Sequence, residues 1–114
     1  MRFIVLALTL SAASPVFAQH QGHGMPAASS ATASPSTKAY EAANMKMHKD
    51  MAITYTGDAD KDFLRGMIPH HQGAIDMARV VLQYGKDPKV KALAEKIIKD
   101  QEAEIAEMKA MLAK

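Results

Sequence analysis

The sequence predicts an all-α protein, a small up-down bundle of three helices. After residue 37, apolar residues recur every three or four positions, the spacing of one face of an α-helix. Two short breaks, Tyr55-Thr56-Gly57-Asp58 and Gly85-Lys86-Asp87-Pro88, divide this region with residues that favour turns and helix starts. Short connections make neighbouring helices antiparallel. The chain has 114 residues and no cysteine, so its core has to come from helix packing rather than disulfides.

The first 37 residues are expected to lie outside the bundle. Residues 1–18 have the features of a secretory signal peptide, with Arg2 before a short apolar run and Val16-Phe17-Ala18 before the cleavage point. The run is shorter than the stretch of about 20 residues that spans a bilayer. We therefore expect an exported protein, periplasmic or secreted, without stable membrane insertion after cleavage; an uncleaved anchor is the alternative. Residues 19–37, rich in Ala, Ser, Gly, Pro and Thr, are expected to form a disordered linker.

The linker contains a His/Met cluster that consists of His20, His23 and Met25. Flexible His-rich segments can bind metal ions loosely, so this cluster is a candidate auxiliary metal site. An inert linker explains the same residues equally well, and both interpretations stay open.

The first helix is predicted over residues 38–53, with Ser36 or Thr37 as its N-cap. One side of this helix, extended into the break that follows it, carries Tyr40, Asn44, Met47, His48, Met51 and Tyr55. This side has few of the Leu, Ile and Val residues that a packing face normally contains. Met47, His48 and Met51 are therefore candidate metal ligands.

The second helix is predicted over residues 59–84, with Asp58 as its N-cap, and carries the most unusual stretch of the chain. His70 and His71 follow Pro69 within an apolar arc that fills about half of the helix circumference. Met67 lies one turn before them. Proline inside a regular helix costs about 3 kcal/mol, so a kink is expected there. So wide an apolar arc suits a central helix that contacts two neighbours.

The third helix is predicted from Pro88 to about Leu112, with Asp87 as its N-cap. Gln101 and Glu104 interrupt its apolar stripe. Buried polar groups need partners, because leaving them unpaired is unfavourable. These two side chains are therefore expected to meet polar groups of the second helix.

The second and third helices should form an antiparallel hairpin. Its expected register places His71 level with Gln101, and Met67 between Glu104 and Met108. The polar interruption of the third helix then faces the histidines.

Folding the first helix back through Gly57 would place Met47 and His48 level with Arg65 and Gly66, next to the same layer. Side chains from all three helices would then converge, and this convergence predicts a metal site.

The donor types in this layer favour copper, chiefly Cu(I). Imidazole and thioether groups suit copper, whereas zinc takes Cys, His and carboxylate, and Mg²⁺ and Ca²⁺ take oxygen. Haem held by Met and His is an alternative. Met77 is assigned to the core, because it lies seven residues beyond His70, and Met111 is also considered too distant.

The sequence also resembles a known family. Residues 57–78, Gly-Asp-Ala-Asp-Lys-Asp-Phe-Leu-Arg-Gly-Met-Ile-Pro-His-His-Gln-Gly-Ala-Ile-Asp-Met-Ala, are similar to the signature of the family called domain of unknown function 305. Tyr-Gly-Lys-Asp-Pro at 84–88 and Gln101-x-x-Glu104-Ile105-x-x-Met108 match as well. The resemblance implies a ferritin-like helical bundle, usually exported, and some members are periplasmic copper-binding proteins linked to copper tolerance. By position, the motif residues are Met67, His70, His71 and Met108, and a looser match covers Met47, His48 and Met51.

The residues and the resemblance together predict a copper-binding protein for copper buffering, tolerance or delivery, and not an enzyme. The expected metal ligands are Met67, His70, His71, His48, Met47, Met51 and Met108. Glu104 and Gln101 are expected to orient these ligands by hydrogen bonds. Three helices leave one side thinly covered, and a homodimer would cover it. The alternative is a helical interaction or chaperone-like protein with a Met-rich face. Basic and acidic residues are mixed along the chain and the formal net charge is only +2, so no nucleic-acid partner is expected.

Overall fold

A computed structural model describes residues 33–114 of the chain. Its helices are α1 (Pro35–Met51), α2 (Ala59–Tyr84) and α3 (Pro88–Leu112), and no strand occurs in this range. The predicted fold class, a small bundle of three helices, is confirmed. The predicted signal peptide and the His20, His23 and Met25 cluster lie outside the described residues.

Helix α2 is the centre of the molecule. Helices α1 and α3 both pack against α2, but they do not contact each other. The wide apolar arc of α2 correctly indicated two neighbours. The arrangement creates two separate interfaces, one between α1 and α2 and one between α2 and α3.

The start of α1 differs from the prediction, while α2 and α3 start where the sequence indicated. Ser34, rather than Ser36 or Thr37, caps α1, and its hydroxyl accepts the Thr37 backbone N–H at 3.2 Å. Pro35 occupies the first helical position, where a missing N–H has no cost and the fixed φ suits the helix. Helix α1 therefore begins at Pro35, earlier than the predicted residue 38.

Aspartate side chains cap both other helices as predicted. Asp58 accepts the Lys61 backbone N–H at 3.1 Å, and Asp87 accepts the N–H groups of Lys89 and Val90 at 2.8 and 3.4 Å. Each carboxylate satisfies donors that have no partner inside the helix and lies at the positive end of its dipole.

Residues 52–58 connect α1 to α2 as a non-helical segment that runs back along the first turns of α2. The Arg65 guanidinium donates from Nη1 to the Thr54 carbonyl at 3.2 Å. The Ile53 side chain lies 3.8 Å from the position that a Cβ would take at Gly66. The predicted helical end at Ile53 is therefore wrong, since α1 ends at Met51.

This connection sets the position of α1 on α2. Extended chain advances about 3.3 Å per residue, against about 1.5 Å in a helix, so α1 lies further along α2 than a tight turn at Gly57 would place it. The Met47 side chain packs against Gly73, where its Cγ lies 2.6 Å from the position of an added Cβ. The prediction that Met47 lies level with Arg65 and Gly66 is wrong.

Asp62 holds the connection by accepting several hydrogen bonds. Its carboxylate accepts the backbone N–H and the hydroxyl of Thr56 at 2.9 and 2.8 Å, and the Gly57 N–H at 3.0 Å. The Thr56 N–H is the largest cause of a lowered pKa for Asp62, because this bond favours the ionised carboxylate. Gly57 has a φ of +90°, a left-handed conformation that glycine adopts without steric cost.

The apolar core lies between α2 and α3. Its buried residues are Ile75, Ile105 and Met108, and partly buried residues packed against them are Leu64, Met67, Ile68 and Ile98. Two apolar side chains near the start of α3 remain exposed, Val90 at 44% and Leu93 at 57%. Met77 is 42% exposed, so its assignment to the core is wrong.

None of the helices in the described range combines the length and apolar character needed to cross a membrane.

Candidate metal centre

Four of the residues singled out from the sequence come together in a groove between α2 and α3. The groove has a volume of about 410 Å³. Its lining residues are Phe63, Leu64, Met67, His71, Glu104, Glu107, Met108 and Met111. The expected meeting of Met67 and His71 with Glu104 and Met108 is therefore observed.

His71 is buried in this groove, with both ring nitrogens in hydrogen bonds. Nδ1 lies 2.8 Å from the Met67 carbonyl oxygen, one turn earlier in α2. A carbonyl can only accept a hydrogen bond, so Nδ1 carries a proton and donates it. Such a bond to a backbone carbonyl fixes the ring orientation and leaves Nε2 as the nitrogen available for other chemistry.

Nε2 of His71 lies 2.6 Å from Oε2 of Glu104 on α3. The side chain of His71 is 11% exposed and that of Glu104 is 55% exposed. A buried imidazole therefore contacts a carboxylate that lies at the surface of the groove. A metal ion that binds Nε2 would take the place of this hydrogen bond, because a ligand nitrogen must be free of its proton.

A residue that orients a metal-binding imidazole bonds the ring nitrogen that does not bind the metal. Glu104 contacts Nε2, whereas Nδ1 is the nitrogen that bonds the backbone. The Met67 carbonyl, rather than Glu104 or Gln101, sets the proton position on His71. Gln101 is half-buried and does not line the groove.

His70 does not line the groove with His71. Its side chain is exposed, and its ring centroid lies 6.0 Å from that of His71 in an edge-on arrangement. Pro69 lies within α2, which continues as helix on both sides of it, and the expected kink stays a prediction.

The three candidate ligands of α1 lie apart from the groove. Met47 and Met51 are half-buried in α1, and His48 is exposed. Because α1 does not contact α3, the candidate ligands of the three helices do not form the single layer that the sequence predicted. The structure brings together Met67, His71, Glu104 and Met108 and leaves the candidates of α1 outside the groove.

Met111 and Glu107 also line the groove. The prediction that Met111 lies too far from the site is therefore wrong, and Glu107 was not considered as a site residue. Met111 lies three residues after Met108, and Glu107 three after Glu104, so helical spacing could have identified both. Within residues 33–114, no three His, Asp or Glu side chains are placed to hold a metal ion together. A metal ion in this groove would therefore need thioether ligands.

Fold and groove together define the class: a three-helix α protein with an imidazole, a carboxylate and thioethers facing one cleft. The chain belongs to the family described as "Domain of unknown function (DUF305)", whose sequence profile matches residues 11–112. An uncharacterized protein of Acanthamoeba polyphaga mimivirus is 49% identical over 53 residues. That match spans 46% of this chain and 35% of the viral protein.

Proposed function

We propose that this protein binds copper, chiefly as Cu(I), in the groove between α2 and α3. The observation that carries the proposal is the hydrogen bond from Nδ1 of His71 to the Met67 carbonyl. It holds a buried imidazole with Nε2 in a cleft that the Met67, Met108 and Met111 side chains also line. In this role, the protein would buffer copper, confer copper tolerance or deliver copper in the periplasm or outside the cell.

The chemistry of the donor set supports copper over other ions. Thioether is a soft donor that prefers Cu(I), and imidazole suits copper as well as zinc. The chain has no cysteine to supply the thiolates common in structural zinc sites. His71, Met67 and Met108 would hold the ion, and they would supply coordination rather than catalysis.

The remaining predicted ligands take a secondary place in this proposal. His70, Met47, His48 and Met51 lie outside the groove, and His70 could join only through a different side-chain orientation. We propose that they contribute less to affinity than His71.

A competition titration tests the proposal. The purified chain is titrated with Cu(I) under anaerobic conditions against a chromophoric Cu(I) chelator, alongside His71→Ala and the matched variant His70→Ala. We expect the wild-type chain to withdraw Cu(I) from the chelator. His71→Ala should lose at least the roughly tenfold in affinity that the loss of an outer-shell partner already costs. His70→Ala should lose clearly less.

Two results would contradict the proposal. One is a wild-type chain that does not compete for Cu(I) at micromolar metal. The other is a His71→Ala variant that competes as well as wild type, provided that its circular dichroism shows the same helix content.

The exposed apolar side chains at the groove support a second candidate function, binding of an apolar protein segment. Phe63 is 62% exposed and Met111 is 48% exposed, and both line the groove. Flexible methionine surfaces accommodate varied apolar partners. In this case, an amphipathic test peptide would bind the copper-free chain, and Phe63→Ser would weaken peptide binding without changing Cu(I) affinity.

A further inference from the structure

Glu104 occupies an unusual position for a carboxylate that only orients a ligand. Its Oε2 lies 2.6 Å from Nε2 of His71, the nitrogen that faces the groove. We infer that Glu104 is a direct oxygen ligand, through which the same groove also holds divalent copper. This inference rests on the proposed function and adds a second oxidation state to it.

The spacing of the two atoms supports direct ligation. Nitrogen and oxygen donors lie about 2.0–2.2 Å from a first-row divalent ion such as zinc, so two donors on one ion lie about 3–3.5 Å apart. The Nε2 and Oε2 atoms are already at 2.6 Å. An opening of less than about 1 Å would admit an ion between them, and the proton that they share would leave to solvent.

The burial of the two side chains favours movement of Glu104 rather than His71. The imidazole is 11% exposed and is tied to the Met67 carbonyl through Nδ1, whereas the carboxylate is 55% exposed. Glu104 can therefore swing at the groove surface without disturbing the core. In the structure it lies against Nε2, and it can close over an ion bound there.

The carboxylate changes which oxidation state the groove prefers. Two thioethers and one imidazole form a soft set that suits Cu(I), whereas carboxylate oxygen is a harder donor. Adding the Glu104 oxygen therefore stabilises Cu(II) more than Cu(I). The identity of residue 104 would then determine the relative affinity of the groove for the two ions.

The test compares Glu104→Gln with Glu102→Gln in the full chain. Glu102 lies on the same helix and its side chain is 57% exposed, much like that of Glu104, but it does not line the groove. Cu(I) affinity is measured against a chromophoric chelator under anaerobic conditions, and Cu(II) affinity against glycine in air. Electron paramagnetic resonance of the Cu(II) samples reports whether an oxygen ligand is lost.

We expect Glu104→Gln to lose about tenfold or more in Cu(II) affinity and to change Cu(I) affinity much less, with an altered Cu(II) spectrum. Glu102→Gln should behave as wild type for both ions. The inference is overturned if Glu104→Gln binds Cu(II) as wild type does, if the affinities for both oxidation states fall equally, or if Glu102→Gln has the same effect. A wild-type chain that binds neither ion would instead overturn the proposed function itself.

Discussion

At the scale of single residues, the site depends on which of two adjacent histidines faces α3. Neighbouring positions on a helix point about 100° apart, so only one of His70 and His71 faces the groove directly. The sequence identified the pair and Met67, because an imidazole within an apolar arc is unusual. It could not separate the two histidines, since that choice depends on where α3 packs around α2.

The contribution of thioether chemistry can be separated from packing at Met108. Met108 is 8% exposed within the core beside the groove, and Met108→Leu nearly conserves its volume, so the cost in stability should be below about 1.5 kcal/mol. We expect Cu(I) affinity to fall about tenfold, because the sulfur donor is lost while the shape is retained. The measurement is the anaerobic Cu(I) competition titration, with urea unfolding to check stability.

Met77→Leu is the matched control for this substitution. Met77 also lies on a helix but is 42% exposed and does not line the groove. Equal Cu(I) affinities for Met108→Leu and wild type would remove Met108 from the ligand set. Equal losses in both variants would indicate a nonspecific effect of methionine content.

At the scale of elements, local signals predicted the helix ends better than the contacts between helices. Asp58 and Asp87 were recognisable as caps, because capping involves residues within one turn. The position of α1 along α2 was not predictable in this way. It depends on residues 52–58 running extended, which in turn depends on the hydrogen bonds that Asp62 accepts from Thr56 and Gly57.

Asp62 should make the stability of the protein sensitive to acid. Its pKa is lowered in the folded chain, so its stabilising contribution is present above the unfolded value of about 3.9 and is lost as pH falls through the folded pKa. Asp62→Asn should therefore be less stable than wild type at pH 7. Its stability should also fall less between pH 7 and pH 3, as measured by urea unfolding at both pH values.

The matched control is Asp60→Asn, in the same first turn of α2. It removes one carboxylate from the same helix end but leaves the hydrogen bonds of Thr56 and Gly57 in place. If Asp60→Asn reproduced the full change in acid sensitivity, the effect would come from general charge at the helix start rather than from the connection.

The close approach of α1 to α2 should depend on Gly73. A Cβ added there would lie 2.9 Å from Cβ and 2.6 Å from Cγ of Met47, so the α1 backbone would have to move. We expect Gly73→Ala to destabilise the protein by about 1–3 kcal/mol, the usual cost of overpacking. The measurement is urea unfolding followed by circular dichroism.

Gly66→Ala is the control for helix propensity, because an added Cβ there would meet only the Ile53 Cδ1 at an ordinary 3.8 Å. Replacing glycine by alanine inside a helix favours folding by up to about 1 kcal/mol, so this variant should be as stable as wild type or more so. Combining Gly73→Ala with Met47→Ala should restore part of the lost stability. A stabilised Gly73→Ala single variant would contradict the close packing of α1.

At the scale of the whole molecule, the three helices form two interfaces that meet only through α2. The sequence predicted the number of helices and the central position of α2 from the width of its apolar arc. It did not reveal that α1 and α3 stay apart, because the periodicity of one helix does not specify the angle between its two neighbours. The proposed homodimer would cover apolar side chains that this arrangement leaves exposed, such as Leu93 at 57%.

The separation of the interfaces predicts where copper should rigidify the protein. An ion held by His71, Met67 and Met108 would link α2 to α3 and leave α1 unlinked. Bound copper slows amide exchange only where exchange requires an opening motion that disrupts the site. Local opening of α1 does not disrupt the site, so amide exchange through it should be unaffected. With Cu(I) in excess, we expect slower amide exchange at residues 63–71 and 104–111 and little change in locally exchanging amides of 47–51. His71→Ala should abolish the copper effect, and copper-dependent protection of α1 would show instead that Met47, His48 and Met51 join the ligand set.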